Sequence, residues 1–129
     1  MTILFEAQTF KTKLKKPASW SDSVFQYCYF EDFDSEGADM GSHFIACTFD
    51  RCEWYWGHFN CAVLVGVKFN NCRFRGTGFS GCKFVECEFV DCSFELDNLN
   101  SPCRFEDIGW YGCSQLRCPG LEEQFRSRR

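Results

Sequence analysis

A five-residue apolar period runs through the middle of the chain and limits the folds open to it. Between residues 69 and 94 a phenylalanine stands at every fifth position, and a small residue precedes most of them by two positions. The phenylalanines are Phe69, Phe74, Phe79, Phe84, Phe89 and Phe94, and the small residues are Cys72, Thr77, Cys82, Cys87 and Cys92. A period of five matches neither an α-helix nor a β-strand. The pattern therefore indicates an internal repeat, which determines the architecture before any local preference does.

The period extends in both directions with two changes of phase. Trp20, Phe25, Phe30, Ser35 and Met40 share a first phase. One residue is then lost, and a second phase holds Phe44, Phe49, Trp54, Phe59, Leu64, the six phenylalanines above and Leu99. One residue is gained around positions 100–102, after which Phe105 and Trp110 continue. Residues 18–118 are thus predicted to form one repeat domain of about twenty units.

This pattern resembles the pentapeptide-repeat family, whose units carry a large apolar central residue and a small residue two positions before it. The signature reads Phe-x-x-Cys-x-Phe here, as in residues 84–89, while Phe33, Ser35 and Asp97 depart from it. The resemblance implies an all-β fold, a right-handed quadrilateral parallel β-helix of about five coils. Each unit then forms one side of a square, and residues twenty apart stack about 4.8 Å above one another, as parallel strands do.

Stacking predicts columns of inward side chains. We expect one column of Phe30, Phe49, Phe69, Phe89 and Trp110, a second of Cys52, Cys72, Cys92 and Cys113, and one side that carries Phe25, Phe44, Leu64, Phe84 and Phe105. The eleven cysteines include no Cys-x-x-Cys pair, and His43 and His58 lack the spacing of paired metal ligands. We therefore expect reduced core thiols and neither a metal nor a cofactor. A zinc site or a disulfide framework is the alternative.

Both ends of a repeat stack need a cover. Residues 1–17 are predicted to form an N-terminal cap, in which Ile3, Phe5 and Phe10 lie over the first repeat. Residues 119–129 are predicted to form a C-terminal capping helix, with Glu122 and Glu123 in its first turn. Leu121 and Phe125 would supply an apolar lid that two copies could share, so a homodimer through this segment is a hypothesis.

Composition and motifs argue against a membrane protein and against an enzyme. The chain has 129 residues, 25% of them charged, and no apolar run approaches the roughly 18 residues of a membrane span. Its first residues lack the pattern of a signal peptide, which favours a cytoplasmic protein. There is no phosphate-binding glycine loop, nucleophile elbow or His-Glu-x-x-His motif, so we expect no catalytic residues.

Function is then expected in the outward positions. One side of the square places Val24, Ile45, Val63, Val65 and Val85 outward, which makes a candidate apolar surface for a protein partner. The alternative is that β-branched residues merely suit strands. Tyr55 and Trp56 also point outward, and exposed tyrosine and tryptophan often anchor interfaces. Scattered surface aromatics are the alternative there.

Charge supports a second hypothesis. Residues 18–118 carry 15 acidic and 7 basic side chains, a net of −8, and Glu88, Asp91 and Glu95 are acidic candidates for partner contact. Some members of the family protect type II topoisomerases such as DNA gyrase and are thought to imitate duplex DNA. Duplex of the predicted length, roughly 24 Å, would carry about 14 negative charges. We therefore favour a protein-binding scaffold, such as an immunity-type partner of a toxin, over a DNA mimic, and expect no direct binding of nucleic acid.

Overall fold

The computed structural model describes residues 3–11 and 22–126, with only the backbone of Arg126. Expectations for residues 12–21, including Trp20, lie outside this part of the chain. The described residues form nineteen short strands and one helix. They are β1 (Ile3–Glu6), β2 (Thr9–Lys11), β3 (Ser23–Gln26), β4 (Tyr29–Glu31), β5 (Asp34–Glu36), β6 (His43–Ile45), β7 (Thr48–Asp50), β8 (Glu53–Tyr55), β9 (His58–Asn60), β10 (Val63–Val65), β11 (Lys68–Asn70), β12 (Arg73–Arg75), β13 (Gly78–Ser80), β14 (Lys83–Val85), β15 (Glu88–Val90), β16 (Ser93–Glu95), β17 (Arg104–Glu106), β18 (Gly109–Tyr111), β19 (Ser114–Leu116) and α1 (Leu121–Arg126).

The strands form four parallel sheets that are the four sides of a β-helix. Side A contains β1, β3, β6, β10, β14 and β18, and side B contains β2, β4, β7, β11, β15 and β19. Side C contains β5, β8, β12 and β16, and side D contains β9, β13 and β17. Because the chain visits the sides in turn, each strand pairs with the strand one coil away rather than with its neighbour in sequence. The predicted four-sided parallel β-helix with a short C-terminal helix is confirmed.

The core consists of stacked rings, as the period predicted. Phe69 is fully buried, and its ring lies 4.7 Å from that of Phe89 and 5.1 Å from that of Phe49, nearly parallel to both. Rings on adjacent sides meet edge to face, as Phe69 and Phe74 do at 5.8 Å. Offset stacks and edge-to-face contacts are the arrangements that aromatic rings prefer, so the columns support one another.

The loss of one residue after Met40 is accommodated at the corner between sides D and A. Phe25 pairs with Phe44 and Phe30 with Phe49, and Met40 remains fully buried. Ser35, which departs from the repeat, still lies at the centre of β5 and pairs with Trp54. Phe33, the large residue in a small position, is buried as well. These departures change the filling of the core without changing the path of the chain.

One residue is gained near position 100, but the prediction that the unit of Leu99 forms a side of the coil is wrong. Phe79 pairs with Phe105, Phe84 with Trp110 and Phe89 with Gln115, so a whole unit containing Leu99 leaves the stack. Trp110 therefore replaces Phe105 on side A, and Trp110 does not lie in the column of Phe89. Cys113 stacks on Cys87, and Cys118 takes the place predicted for Cys113 beside Cys92. Leu99, expected inside, is 75% exposed.

The two ends are covered in different ways. In the described part of the predicted N-terminal cap, β1 and β2 are the outer strands of sides A and B. Phe5 stacks on Phe25 at 4.8 Å and Phe10 on Phe30 at 5.1 Å, so this segment continues the core. At the other end, α1 follows Cys118 and places Leu121, which is 1% exposed, against the last coil.

Candidate protein-binding surface

Side A presents two columns of outward residues, one on each flank of its buried central column. In the column that precedes the central residue, Leu4, Val24, His43, Val63, Lys83 and Gly109 are in register. In the column that follows it, Glu6, Gln26, Ile45, Val65, Val85 and Tyr111 are in register. Only Glu6 and Lys83 carry a full charge among these twelve positions, so side A is nearly neutral.

Four consecutive coils place an apolar residue in the second of these columns. Ile45, Val65, Val85 and Tyr111 pair strand by strand, and we call these four residues the apolar column. The three aliphatic side chains are half-buried by their neighbours, while Tyr111 is 45% exposed. The three aliphatic residues form an apolar row over consecutive coils, and the Tyr111 ring at its end lies across the strand over Gly109.

The remaining aliphatic candidates on side A lie in the other column. Val63 stands between His43 and Lys83, and Val24 stands above His43. Both histidines of the chain are exposed, as expected from their positions directly before a central residue. The sequence missed Tyr111, because the extra unit at Leu99 assigned its strand to the wrong side. The period alone could not have found it, because both arrangements leave Trp110 in the same phase.

Tyr55 and Trp56 contact their own chain. The Tyr55 hydroxyl accepts a hydrogen bond from the backbone N–H of Asn98 at 3.0 Å, and the Arg75 guanidinium lies over its ring at 4.9 Å. Trp56 is 44% exposed, but its Nε1–H donates to Oδ2 of Asp97 at 2.7 Å. The two aromatic residues thus hold the unit that leaves the stack.

Asp97 is the centre of that unit. Its Oδ1 accepts hydrogen bonds from the backbone N–H groups of Leu99 at 2.8 Å and Ser101 at 2.9 Å, in addition to the bond from Trp56. The bond from Ser101 is the main cause that lowers the pKa of Asp97 below its usual range. The carboxylate is buried and fully engaged, so this departure from the repeat has a structural role.

The acidic candidates are paired with basic residues of neighbouring coils. Asp91 accepts a bidentate pair from Arg117, with 2.8 Å between Nη2 and Oδ2, and Arg73 makes a bidentate pair with Glu95 at 3.0 Å for both bonds. Hydrogen bonds from these arginines lower the pKa values of Asp91 and Glu95. Glu88 makes a looser contact, with its Oε1 4.0 Å from Nζ of Lys68.

A denser group of charges surrounds Arg51 at the corner between sides B and C. Its guanidinium contacts Asp32 and Asp50 at 2.9 Å and Glu31 at 2.8 Å. Tyr29 donates its hydroxyl to Asp50 at 2.8 Å, and this bond raises the pKa of Tyr29 to about 12. Arg51 thus forms ion pairs with three carboxylates and partly neutralises the negative charge of side B.

Leu121 and Phe125, the dimerisation candidates, both face the solenoid. Leu121 is buried, and the Phe125 ring is half-buried with its centroid 4.9 Å from that of Trp110. The apolar face of α1 is therefore directed at its own last coil.

The described residues contain no group of three or more His, Cys, Asp or Glu side chains placed to hold a metal ion. In the same part of the chain, no helix has the length and apolar character needed to cross a membrane. Eight of the eleven cysteines are buried, Cys103 and Cys113 are half-buried, and only Cys61 is exposed. Most thiols donate to a backbone carbonyl of the preceding coil, as Cys72 does to Phe49 at 3.3 Å.

Comparisons with known proteins address the fold. A family model described as pentapeptide repeats matches residues 58–95 with eight copies. Among solved structures, the chain is similar to the pentapeptide-repeat protein Rfr23 from the cyanobacterium Cyanothece 51142, with 8% identity, a TM-score of 0.45, and coverage of 88% of this chain and 80% of that chain. No curated protein matches the sequence.

Two further structures are of QnrB1, a plasmid-mediated fluoroquinolone resistance protein. A trypsin-treated form has 15% identity and a TM-score of 0.27, with coverage of 92% of this chain and 73% of that chain. The full-length form has 10% identity and a TM-score of 0.21, with coverage of 97% and 96%. The repeat that the family model matches in residues 58–95 continues as the same four-sided coil on both sides of that range, so the chain has the pentapeptide-repeat fold.

Proposed function

We propose that this protein is a non-enzymatic scaffold that binds a protein partner through side A. The observation that carries the proposal is the apolar column, in which Ile45, Val65, Val85 and Tyr111 are in register over four coils of a nearly neutral side. Val63 adds apolar surface in the adjacent column. A rigid, flat row of apolar side chains can be desolvated by a partner without loss of backbone freedom, which favours tight contact.

The size of the side sets a condition on the partner. Six strands spaced about 4.8 Å apart, with about three residues in each, give a face of roughly 300 Å². A standard interface buries about 800 Å² on each partner. A protein that binds side A must therefore reach around a corner onto a second side, and a concave partner does this better than a flat one.

The alternative function is protection of a type II topoisomerase by imitation of DNA. It would use the acidic side chains, of which Asp91 and Glu95 are held in bidentate pairs by arginines and Glu31, Asp32 and Asp50 surround Arg51. A carboxylate that is already paired must break that pair before it can meet a new cation. These contacts favour the apolar surface over the acidic one as the main source of binding energy.

Substitution on side A tests the proposal directly. Once affinity capture from the native host has identified a partner, Val63→Lys together with Val65→Lys is expected to weaken its binding by more than about 1 kcal/mol at physiological salt, because both ammonium groups would enter an apolar contact. Calorimetry with purified partner measures the change. Asp34→Lys with Glu36→Lys, which adds lysines at exposed positions on side C, the side opposite side A, is the control and should leave affinity unchanged.

Charge reversal distinguishes the two functions. Reversal at Glu88, Asp91 and Glu95 should weaken the complex less than the valine substitutions do, because charge mainly affects the association rate and is screened by salt. If reversal abolishes binding while the valine substitutions have no effect, or if the protein inhibits DNA gyrase in a salt-sensitive way, the topoisomerase function replaces the scaffold.

We also propose that two copies associate through the C-terminal end. Within residues 3–11 and 22–126, the outer strands β18 and β19 have no strand partner on one edge, and α1 is short. A second copy would cover the rest of that edge. Deletion of residues 119–129 should then reduce the mass measured by light scattering from dimer to monomer. A monomeric full-length chain, or an unchanged mass after deletion, would reject the dimer.

A further inference from the structure

Two cysteines at the C-terminal end of the solenoid form an isolated, partly accessible pair. Strand β15 pairs with β19 so that Glu88 lies beside Ser114, which places the preceding residues, Cys87 and Cys113, side by side on adjacent coils. The spacing between such neighbours is about 4.8 Å. One coil above, the same position is occupied by Val67, so the pair does not continue into a longer row of thiols.

The two thiols interact with each other and with the same kind of backbone group. Sγ of Cys87 donates to the carbonyl of Leu64 at 3.3 Å, and Sγ of Cys113 donates to the carbonyl of Phe84 at 3.2 Å. Their mutual hydrogen bond lowers the pKa of Cys113 to about 7 and raises that of Cys87. Cys113 is also the more exposed of the two, so it loses its proton first.

Exposure of Cys113 to solvent distinguishes this pair from the other stacked thiols. Cys28 and Cys47 are at most 2% exposed, and the row of Cys52, Cys72, Cys92 and Cys118 is at most 3% exposed. Cys113 is half-buried in the last coil. Cys87 itself is 1% exposed, so an ion would approach the pair from the side of Cys113.

We propose that Cys87 and Cys113 form a two-coordinate site for a soft monovalent cation of the Cu(I) class. Thiolate sulfur is the ligand that selects such ions. Zinc needs about four ligands in a tetrahedral arrangement. The described residues offer no group of three, whereas two sulfurs on adjacent coils can hold one ion between them in a nearly straight line.

The reaction exchanges protons for the metal. Each thiol releases one proton, both sulfurs bond to the same monovalent ion, and the product carries a net charge of −1. No electron is transferred and no oxidant is needed. Because two protons leave, the affinity for the ion is expected to increase as the pH rises.

Competition with a colorimetric Cu(I) chelator under anaerobic conditions tests the site in the full chain. The wild-type protein is expected to remove one equivalent of Cu(I) from the chelator while its circular dichroism stays unchanged. Cys113→Ser and Cys87→Val should lose that equivalent. Valine already occupies the equivalent position at Val67, so Cys87→Val removes the thiol with a residue that this column accepts.

Two cysteines of the same chain are controls. Cys103 is half-buried like Cys113, yet its coil neighbour in the same column is Thr77, and Cys61 is exposed without a stacked thiol. Cys103→Ser and Cys61→Ser should keep the bound equivalent. The proposal is overturned if Cys113→Ser binds Cu(I) as the wild type does, if Cys103→Ser or Cys61→Ser loses the ion, or if uptake occurs only together with loss of the folded signal.

Discussion

Replacement of Phe69 by alanine is expected to lower the free energy of unfolding by about 3 to 5 kcal/mol. Phe69 is fully buried in the middle of its column, and its ring is stacked between Phe49 and Phe89. Its removal leaves a cavity that rings held by their own strands cannot close. Chemical denaturation followed by circular dichroism measures the change.

Leu99→Ala is the control for this substitution. Leu99 shares the period of the core phenylalanines in the sequence, but it is 75% exposed. Its truncation should therefore change the free energy of unfolding by less than about 0.5 kcal/mol. Equal losses for Phe69→Ala and Leu99→Ala would contradict the pairing of Phe79 with Phe105.

The second large effect is expected at Gly76, beneath the unit that leaves the stack. Its φ is +52°, and a Cβ atom there would lie 2.7 Å from Cβ of Asp97. Alanine would thus be strained in its backbone and would also displace the carboxylate that organises residues 97–101. We expect Gly76→Ala to cost about 2 to 5 kcal/mol in the free energy of unfolding.

Gly66 provides a matched comparison, because it occupies another corner with similar backbone geometry. Its φ is +64°, but the nearest atom to an added Cβ is Cα of Ala46, 4.0 Å away. Gly66→Ala should therefore lower the free energy of unfolding only by the strain of a left-handed backbone at alanine, about 1 to 2 kcal/mol. If both alanine variants melt at the same temperature, the contact with Asp97 does not contribute to the destabilisation caused by Gly76→Ala.

The repeat itself could be predicted because its signal is local. Apart from Phe33, which occupies a small-residue position, every buried phenylalanine from Phe25 to Phe89 lies where the period places it. The loss of one residue after Met40 is visible in the sequence because the phase changes there and then continues over many units. The period also predicted that both histidines face solvent. These results follow from one rule about which positions point inward.

The coil after Phe94 could not be predicted in the same way. Six residues leave the stack, one unit and one further residue, and this puts Phe105 and Trp110 in the same phase as a gain of one residue alone. The period therefore does not distinguish the two arrangements. The contacts of Asp97 with Trp56 and of Asn98 with Tyr55 hold the Leu99 unit outside the stack. Each contact joins residues more than forty positions apart in sequence. The place of Tyr111 on side A and the pairing of Cys113 with Cys87 both depend on whether the Leu99 unit lies inside or outside the stack.

The candidate surface was predictable in part for the same reason. The outward direction of Ile45, Val65 and Val85 follows from the period, but their alignment in one column depends on the register between coils. The ion pairs of Asp91 with Arg117 and of Glu95 with Arg73 also join residues on neighbouring coils. Sequence shows the charges, and only the register shows which of them meet.

The unit that contains Leu99 leaves the stack at the end of side C and returns at the start of side D. Because departure and return occur at one corner, the length of the excursion has no influence on the coils before or after it. A single residue deleted from within a side would instead rotate every later unit by part of a turn and exchange inward for outward side chains. Changes in chain length that keep the core intact are therefore confined to corners, and this corner is already adapted to an additional segment.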